Sequence, residues 1–142
     1  MKKPLYLLFI SIVSFFSLMA SASVVPQSSS AEEASVYIIA PEDGAVVSST
    51  VVVRFGLKGM GVAPAGTDRE NTGHHHLLVD GKALPNLKAP MGASVKHFGG
   101  GQTEASIELL PGEHTLQLIM GDKNHVPHLP PVVSEKITIT VR

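Results

Sequence analysis

The amino-acid sequence predicts an all-β protein built as a single antiparallel β-sandwich. Segment 51–57 carries Val, Val, Phe and Leu at alternate positions, and segment 137–141 carries Ile, Ile and Val in the same way. A period of two is typical of a strand that buries one face and exposes the other to water. Prolines and glycines interrupt every window long enough to hold an amphipathic helix. Two packed sheets of short strands satisfy both observations.

Six segments have strand character, and turn residues separate them. The predicted strands are Ser35–Ala40, Thr50–Leu57, His75–Asp80, Thr103–Leu109, His114–Gly121 and Ser134–Val141. The clearest turn signals are the run Pro41–Gly44, the pair Asp80-Gly81 and the pair Pro111-Gly112. Each of these turns lies between two predicted strands, as expected for antiparallel neighbours.

The first 22 residues predict an export signal. Lys2 and Lys3 form a basic start, the run Leu5–Leu18 is apolar, and Ala20-Ser21-Ala22 is a small-residue cleavage pattern. The apolar run is too short for a stable membrane span. We therefore expect a soluble periplasmic or secreted protein, with no membrane insertion after signal cleavage.

The rest of the chain divides into a leader and one domain. Residues 23–33 are small and polar and show no periodicity, which predicts a flexible leader. Residues 34–142 then form the β-sandwich domain, long enough for one core.

Charge and composition exclude several classes of function. With Lys2 and Lys3 removed from the 11 basic residues, and with 12 acidic residues, the formal charge is −3. A chain of this charge, with scattered lysines, lacks the basic stripe that a protein needs to bind nucleic acid. Nucleic acid is therefore not expected as a partner. The absence of cysteine excludes disulfides, a thiolate metal site and lipoprotein acylation. The absence of tryptophan argues against a stacking platform for carbohydrate.

Two motifs resemble parts of immunoglobulin-like and fibronectin-like modules. The run Ile39–Val47, followed by a valine-rich strand, resembles the first two strands of such modules in bacterial secreted proteins. The run Leu110–Leu118 resembles the proline-glycine corner that leads into their sixth strand, with His114 where a tyrosine commonly stands. The resemblance implies an immunoglobulin/fibronectin-like sandwich of about seven strands.

Six of the seven histidines fall into three tight groups. They lie in the runs Gly73–His76, Lys96–Phe98 and His125–His128. In an immunoglobulin-like order, the connections that carry these groups gather at one end of the sandwich. Neutral imidazole is the commonest metal ligand among side chains. The sequence therefore predicts a metal site, and its candidate ligands are His74, His76, His97, His125 and His128.

Strand geometry divides the histidines further. His74 and His76 are two residues apart and point to the same face, with α-carbons separated by about 6.6 Å. His75 points to the other face with Leu77, so we expect it to pack or to hydrogen-bond inside the domain. The stiff, proline-containing segment from His125 to His128 can present two ligands with little loss of entropy. His114 is expected at the opposite end, bonded to the preceding corner.

A shell of imidazoles without thiolates favours copper or zinc, and the affinity order places copper(II) above zinc. Met60 and Met91 are candidate thioether ligands, whereas Met120 is expected in the core. A second periplasmic or membrane protein is a candidate partner for such a metal carrier, buffer or sensor.

Two other classes of function stay open. A metal-dependent hydrolase would need a general base, which Asp68 or Glu70 could supply. A structural or protein-interaction module without metal would use the imidazoles to hydrogen-bond loop backbones.

A further resemblance covers nearly the whole mature chain. The runs that carry it are Gly56–Gly66, Gly73–Leu78, His97–Glu104, Gly112–Leu116 and His125–His128. In these runs the chain is similar to a family of small exported bacterial proteins catalogued as a domain of unknown function. This resemblance implies a single domain and no particular activity.

Overall fold

The computed structural model describes residues 25–142, so the predicted export signal lies outside the described residues. This part of the chain contains nine strands and no helix. Between residues 25 and 142, no helix has the length and hydrophobicity needed to cross a membrane. The strands are β1 (Ser35–Ala40), β2 (Val46–Val47), β3 (Thr50–Lys58), β4 (Gly61–Val62), β5 (Thr72–Val79), β6 (Lys96–His97), β7 (Glu104–Glu108), β8 (Gly112–Gly121) and β9 (Ile137–Val141).

The strands form two sheets. The smaller sheet has the order β1-β3-β7, and both of its pairs are antiparallel. The larger sheet has the order β2-β9-β8-β5-β4, and β6 also pairs with β5. The short strands β2 and β4 run parallel to β9 and β5 respectively, so the expectation of purely antiparallel pairing is wrong for these two pairs.

All six predicted strands are present, with some changes at their ends. Strand β5 begins at Thr72, three residues before the predicted start, because the segment Gly61–Val62 pairs with its first two residues. Strand β9 begins at Ile137 rather than at Ser134. The pairing that extends β5 also places His74 inside a strand, which fixes the direction of its side chain.

One hydrophobic core lies between the two sheets. The alternate residues of β3 and β9 contribute to it, as their period of two predicts. Leu77 and Met120 are fully buried in the same cluster. Met60 packs against its edge.

A second, smaller cluster lies on the other face of the larger sheet. Leu78 of β5 and Ile119 of β8 pack there against Met91 and Val95. Both of these last residues belong to the long connection between β5 and β6, which therefore covers part of the outer face. This cover lies on the same face as His74 and His76 and helps to bury them.

Candidate metal centre

His74 and His76 lie side by side on the outer face of β5. The backbone of β5 is paired with β8, where His74 is opposite Gly121 and His76 is opposite Ile119. Their ring centroids are 4.6 Å apart. The two side chains share a face, as the alternation predicts. A period of two predicts that this outer face meets water, but both rings are fully buried. They are buried because the connection before β6 packs over this face.

His97 is placed by the two-residue strand β6. It pairs antiparallel with β5, so that His97 lies directly opposite His76, and their ring centroids are 5.1 Å apart. Gly99 gives the His97 ring its space, because a β-carbon at residue 99 would collide with that ring. His97 is exposed, and it therefore lies on the solvent side of the group.

His125 is placed by a tight turn that begins at Asp122. The backbone N–H of His125 donates to the Asp122 carbonyl at 2.9 Å, and the Asp122 N–H donates to the Val126 carbonyl at 2.8 Å. His125 has a φ of 64°, in the left-handed region. Histidine is among the residues other than glycine that are enriched there. The turn directs the His125 ring back toward β5.

The buried carboxylate of Asp122 holds this turn. Its Oδ1 accepts from the N–H groups of Asn124 and Val126, at 2.8 Å and 3.0 Å. Its Oδ2 accepts from the N–H and the hydroxyl of Ser28, at 3.2 Å and 2.9 Å. Burial alone would raise the pKa of Asp122, but these hydrogen bonds lower it overall. Aspartate at the first position of a turn commonly bonds backbone N–H groups further on, and this signal could have identified Asp122 from the sequence.

The residues assigned to the leader also contact this turn. The Gln27 side-chain amide donates to the carbonyls of Leu87 and Pro127, at 2.7 Å and 2.9 Å. Leu87 belongs to the connection that covers β5, and Pro127 follows the His125 turn. Residues 27–30 therefore link the two loops that surround the histidines.

Four of the five predicted ligands meet at this place. His74, His76, His97 and His125 each offer one ring nitrogen, and these four atoms all lie within 4.8 Å of one another. One contact within the group joins Nε2 of His74 to Nδ1 of His125, at 3.1 Å. Two nitrogens on one tetrahedral zinc ion, with bonds of 2.0–2.1 Å, lie about 3.3 Å apart. We call these four residues the histidine cluster.

A comparison with known protein families decides where the chain belongs. The family described as Domain of unknown function (DUF4399) matches residues 53–142, a range that contains the whole histidine cluster. The chain belongs to this family. The predicted relationship to a domain of unknown function is thereby confirmed. No curated protein and no solved structure matches the chain.

In this DUF4399 chain, the buried half of the histidine cluster lacks the hydrogen bonds that buried imidazoles normally make. Neither ring nitrogen of His76 has a partner, and Nδ1 of His74 has none. A buried polar atom without a partner costs about 1–3 kcal/mol. A metal ion would give such a nitrogen the electron-pair acceptor that it lacks.

Three of the four rings are also held in the form that binds metal. Burial, and then the neighbouring histidines, lower the pKa of His74 to about 4 and that of His76 to about 3. Burial, and then the neighbouring His125 ring, lower the pKa of His97. A neutral imidazole presents a free electron pair, whereas a protonated ring has none to offer.

His128, the fifth predicted ligand, is not brought into the histidine cluster. Its ring is buried over Gly73, where a β-carbon would lie 2.7 Å from Cε1 of His128. The Nε2–H of His128 donates to the carbonyl of Thr72 at 3.1 Å. The ring therefore ties the His125 loop to the beginning of β5.

The two histidines expected to have structural roles are outside the cluster as well. His75 is fully buried on the core side, 5.0 Å from Phe55 between ring centroids, and its Nδ1 donates to the Gln102 carbonyl at 3.2 Å. His114 donates from Nε2 to the carbonyl of Leu110 in the preceding corner, at 2.8 Å, as expected. Its Nδ1 donates to Asp80, at 2.7 Å.

The other candidate groups do not join the cluster. Asp68 is exposed and pairs with Lys123 at 2.6 Å, and Glu70 is exposed in the same loop. Among the described residues, no carboxylate belongs to the group of converging ligand atoms. Met91 is buried in the second hydrophobic cluster, and its terminal methyl group lies near the His76 ring, against Gly121.

Proposed function

We propose that this chain binds one copper or zinc ion through the histidine cluster and acts as an exported metal carrier, buffer or sensor. The observation that carries the proposal is the convergence of four imidazole nitrogens within 4.8 Å around a fully buried His76 that makes no hydrogen bond. Both metals accept imidazole readily, and neither requires a thiolate.

The geometry gives less support to the two other classes. A hydrolytic site needs a general base beside the metal, and the carboxylates of Asp68 and Glu70 are not part of the cluster. A metal-free interaction module would use the imidazoles as hydrogen-bond donors and acceptors. The unpaired nitrogens of His76 and His74 do not serve that purpose.

The exposure of the ligands is suited to an ion that is taken up and released. His74 and His76 lie at the bottom of the site, whereas His97 is exposed and His125 is partly exposed. A metal ligand at the surface can be replaced by a ligand side chain of another protein during transfer of the ion. A second periplasmic or membrane protein is therefore the proposed source or recipient of the ion.

Export is part of the same proposal. It rests on the basic start, the apolar run and the small-residue cleavage pattern in residues 1–22. The mature protein would be soluble in the periplasm or outside the cell, where it meets metals without cytosolic buffering.

We also propose that the two sheets form a variant of the immunoglobulin-like sandwich. The orders β1-β3-β7 and β9-β8-β5 resemble its two sheets. In each sheet, strands that are not consecutive in the chain lie side by side, as β3 and β7 do and as β5 and β8 do. The bond from His114 to the Leu110 carbonyl resembles the tyrosine corner of that fold.

Metal titration of the purified chain tests the proposed function. We expect uptake of about one ion, measured by calorimetry and by elemental analysis. Affinity should fall at least about 10–100-fold in the His97→Gln variant, since even an outer-shell partner is worth that much. His97 is exposed, so the variant should fold. His114→Gln is the matched control, because His114 also makes side-chain hydrogen bonds but lies outside the cluster. Binding no tighter than that of free histidine, or equal binding by His97→Gln, would refute the proposal.

A further inference from the structure

We infer that the histidine cluster selects a tetrahedral ion, so that it takes Zn²⁺ in preference to the tetragonal Cu²⁺. The inference rests on the proposed function, since it concerns the ion bound at the same four residues. It goes further because affinity order alone favours copper(II) at an imidazole site that imposes no geometry.

The distances between the rings carry the inference. In a square-planar site the four rings would lie at the corners of a square around the ion. The distance between rings on opposite corners would then be about 1.4 times the distance between neighbouring rings. The six centroid distances in the cluster are 4.6, 4.6, 4.9, 5.1, 5.1 and 6.0 Å. The pair at 6.0 Å, His76 and His125, leaves His74 and His97 as the opposite pair, at 4.9 Å. The distance of 4.9 Å is shorter than two of the neighbouring distances, which are both 5.1 Å. The four ring centroids therefore do not lie in one plane. A tetrahedron makes all six distances equal, and the cluster is much nearer to that arrangement.

The backbone resists a change to a planar arrangement. His74 and His76 are two residues apart on one strand, and that strand is paired on one side with β8 and on the other with β6. His97 is itself part of β6, so three ligands belong to one paired unit. The fourth, His125, is held by the Asp122 turn. While these pairings hold, the ligand set can flatten only by rotation of its side chains, and two of those side chains, His74 and His76, are fully buried.

The donor set is also the one that zinc accepts without strain. Zn²⁺ has a filled d shell, no geometric preference of its own, and is usually four-coordinate and tetrahedral in proteins. Cu²⁺ prefers square-planar or tetragonal nitrogen and oxygen sites. Hard ions such as Mg²⁺ and Ca²⁺ prefer oxygen ligands, and the cluster offers none from side chains.

Cobalt(II) serves as the probe, because tetrahedral Co²⁺ absorbs visible light far more strongly than octahedral Co²⁺. The chain is stripped with a chelator, loaded with one equivalent of Co²⁺, and then titrated with Zn²⁺. We expect an intense visible spectrum that one equivalent of Zn²⁺ abolishes. A weak, octahedral spectrum would overturn the inference.

Competition between Cu²⁺ and Zn²⁺ gives a second readout. We expect the ratio of Cu²⁺ affinity to Zn²⁺ affinity to be at least about tenfold lower in the intact chain than in His97→Gln, whose open position lets copper adopt its own geometry. Equal ratios, or a square-planar electron paramagnetic resonance signal from the Cu²⁺ form of the intact chain, would overturn the inference while leaving metal binding intact. If Co²⁺, Zn²⁺ and Cu²⁺ all fail to bind, the proposed function fails with it.

Discussion

Nε2 of His74 and Nδ1 of His125 lie 3.1 Å apart, although 51 residues separate them in the sequence. One residue belongs to a central strand and the other to a surface turn. In the metal-free protein the contact is a hydrogen bond in which one ring donates its N–H to the other. An ion at the cluster would replace this bond with two metal–nitrogen bonds, so the turn is already near its metal-bound position.

The position of His125 in the turn gives the first prediction. Asparagine also tolerates the left-handed backbone, so His125→Asn should keep the turn and lose the ligand. We expect metal affinity to fall at least about 10–100-fold, since even an outer-shell partner is worth that much. The melting temperature of the metal-free protein should fall only slightly, through loss of the hydrogen bond to His74. His125→Ala should lower that melting temperature further, because alanine lacks the tolerance of the left-handed region that histidine and asparagine share. Calorimetric titration and thermal melts check both variants, and equal melting temperatures for the two would contradict the argument.

A second prediction concerns the unpaired nitrogens of His76. His76→Leu keeps a large side chain and removes two buried polar atoms without partners. We expect it to abolish metal binding and to increase the free energy of unfolding of the metal-free protein by about 1 kcal/mol. Urea denaturation measures the second effect. His75→Leu is the matched control, since His75 is equally buried on the opposite face of the same strand, and it should retain metal binding. A less stable metal-free His76→Leu would show that the ring has a structural role.

The third prediction tests Asp122. Removing its carboxylate in Asp122→Ala takes away acceptors from four hydrogen bonds, one of them to a buried N–H group. We expect a loss of about 2–4 kcal/mol of stability and weaker metal binding, because the His125 turn is no longer held. Ser28→Ala removes one of the four bonds and should cost about 1 kcal/mol. Equal losses for the two variants would refute a role for Asp122 in holding the turn.

The fourth prediction concerns the space around His76. A β-carbon at residue 121 would lie 2.5 Å from Cε1 of His76, and that ring is buried and has nowhere to move. Gly121→Ala should therefore displace the ring and weaken metal binding at least about tenfold. Gly92→Ala is the matched control, because nothing lies within 4 Å of a β-carbon there. Titration of both variants with Zn²⁺ checks the difference, and unchanged affinity in Gly121→Ala would contradict it.

The fifth prediction is a pH dependence at the opposite end of the domain. Hydrogen bonds to Asp80 and to the Leu110 carbonyl raise the pKa of His114 above 6.5. Burial raises the pKa of Asp80 by itself, but the bonds from His114 and Thr115 lower it overall below 3.8. The stabilisation from His114 is therefore complete below its unfolded pKa and is lost as the pH rises through its folded pKa. The stabilisation from Asp80 has the opposite pH dependence. It is present above the unfolded pKa of Asp80 and is lost as the pH falls through its folded pKa.

Urea denaturation of the metal-free wild type and of His114→Gln at several pH values checks this window. The difference in stability between the two should be greatest between about pH 4 and 6.5 and should decline at higher pH. The histidine cluster is the same in both proteins, so its contribution cancels in the difference. A difference that stays constant up to pH 9 would contradict a protonated His114.

Much of the site could be predicted because it depends on local geometry. The period of two in β5 is enough to place His74 and His76 on one face and His75 on the other. The corner bond of His114 follows in the same way from its position after the Pro111-Gly112 turn. These relationships involve residues close in sequence, so the pattern of the chain contains them.

What could not be predicted depends on contacts between distant segments. The connection between β5 and β6 has no periodic pattern, and only its packing on Leu78 and Ile119 buries the outer face. His128 was expected to join His125 because the two lie three residues apart. Beyond the left-handed His125, the chain instead runs back beside Gly121 through a bridge at Pro127, which directs His128 over Gly73.

The division of the ligands between a core strand and the surface has a kinetic consequence. His74 and His76 are fixed by β5, whose other face contributes to the main hydrophobic core, so they stay in place for as long as the domain is folded. His97 and His125 lie on a two-residue strand and a turn, which are the kinds of element that open locally at low cost. An ion at the proposed site would therefore leave or enter by local opening of two surface segments, while His74 and His76 keep their positions. Exchange then requires no global unfolding, and its rate is set by the stability of the turn and the short strand.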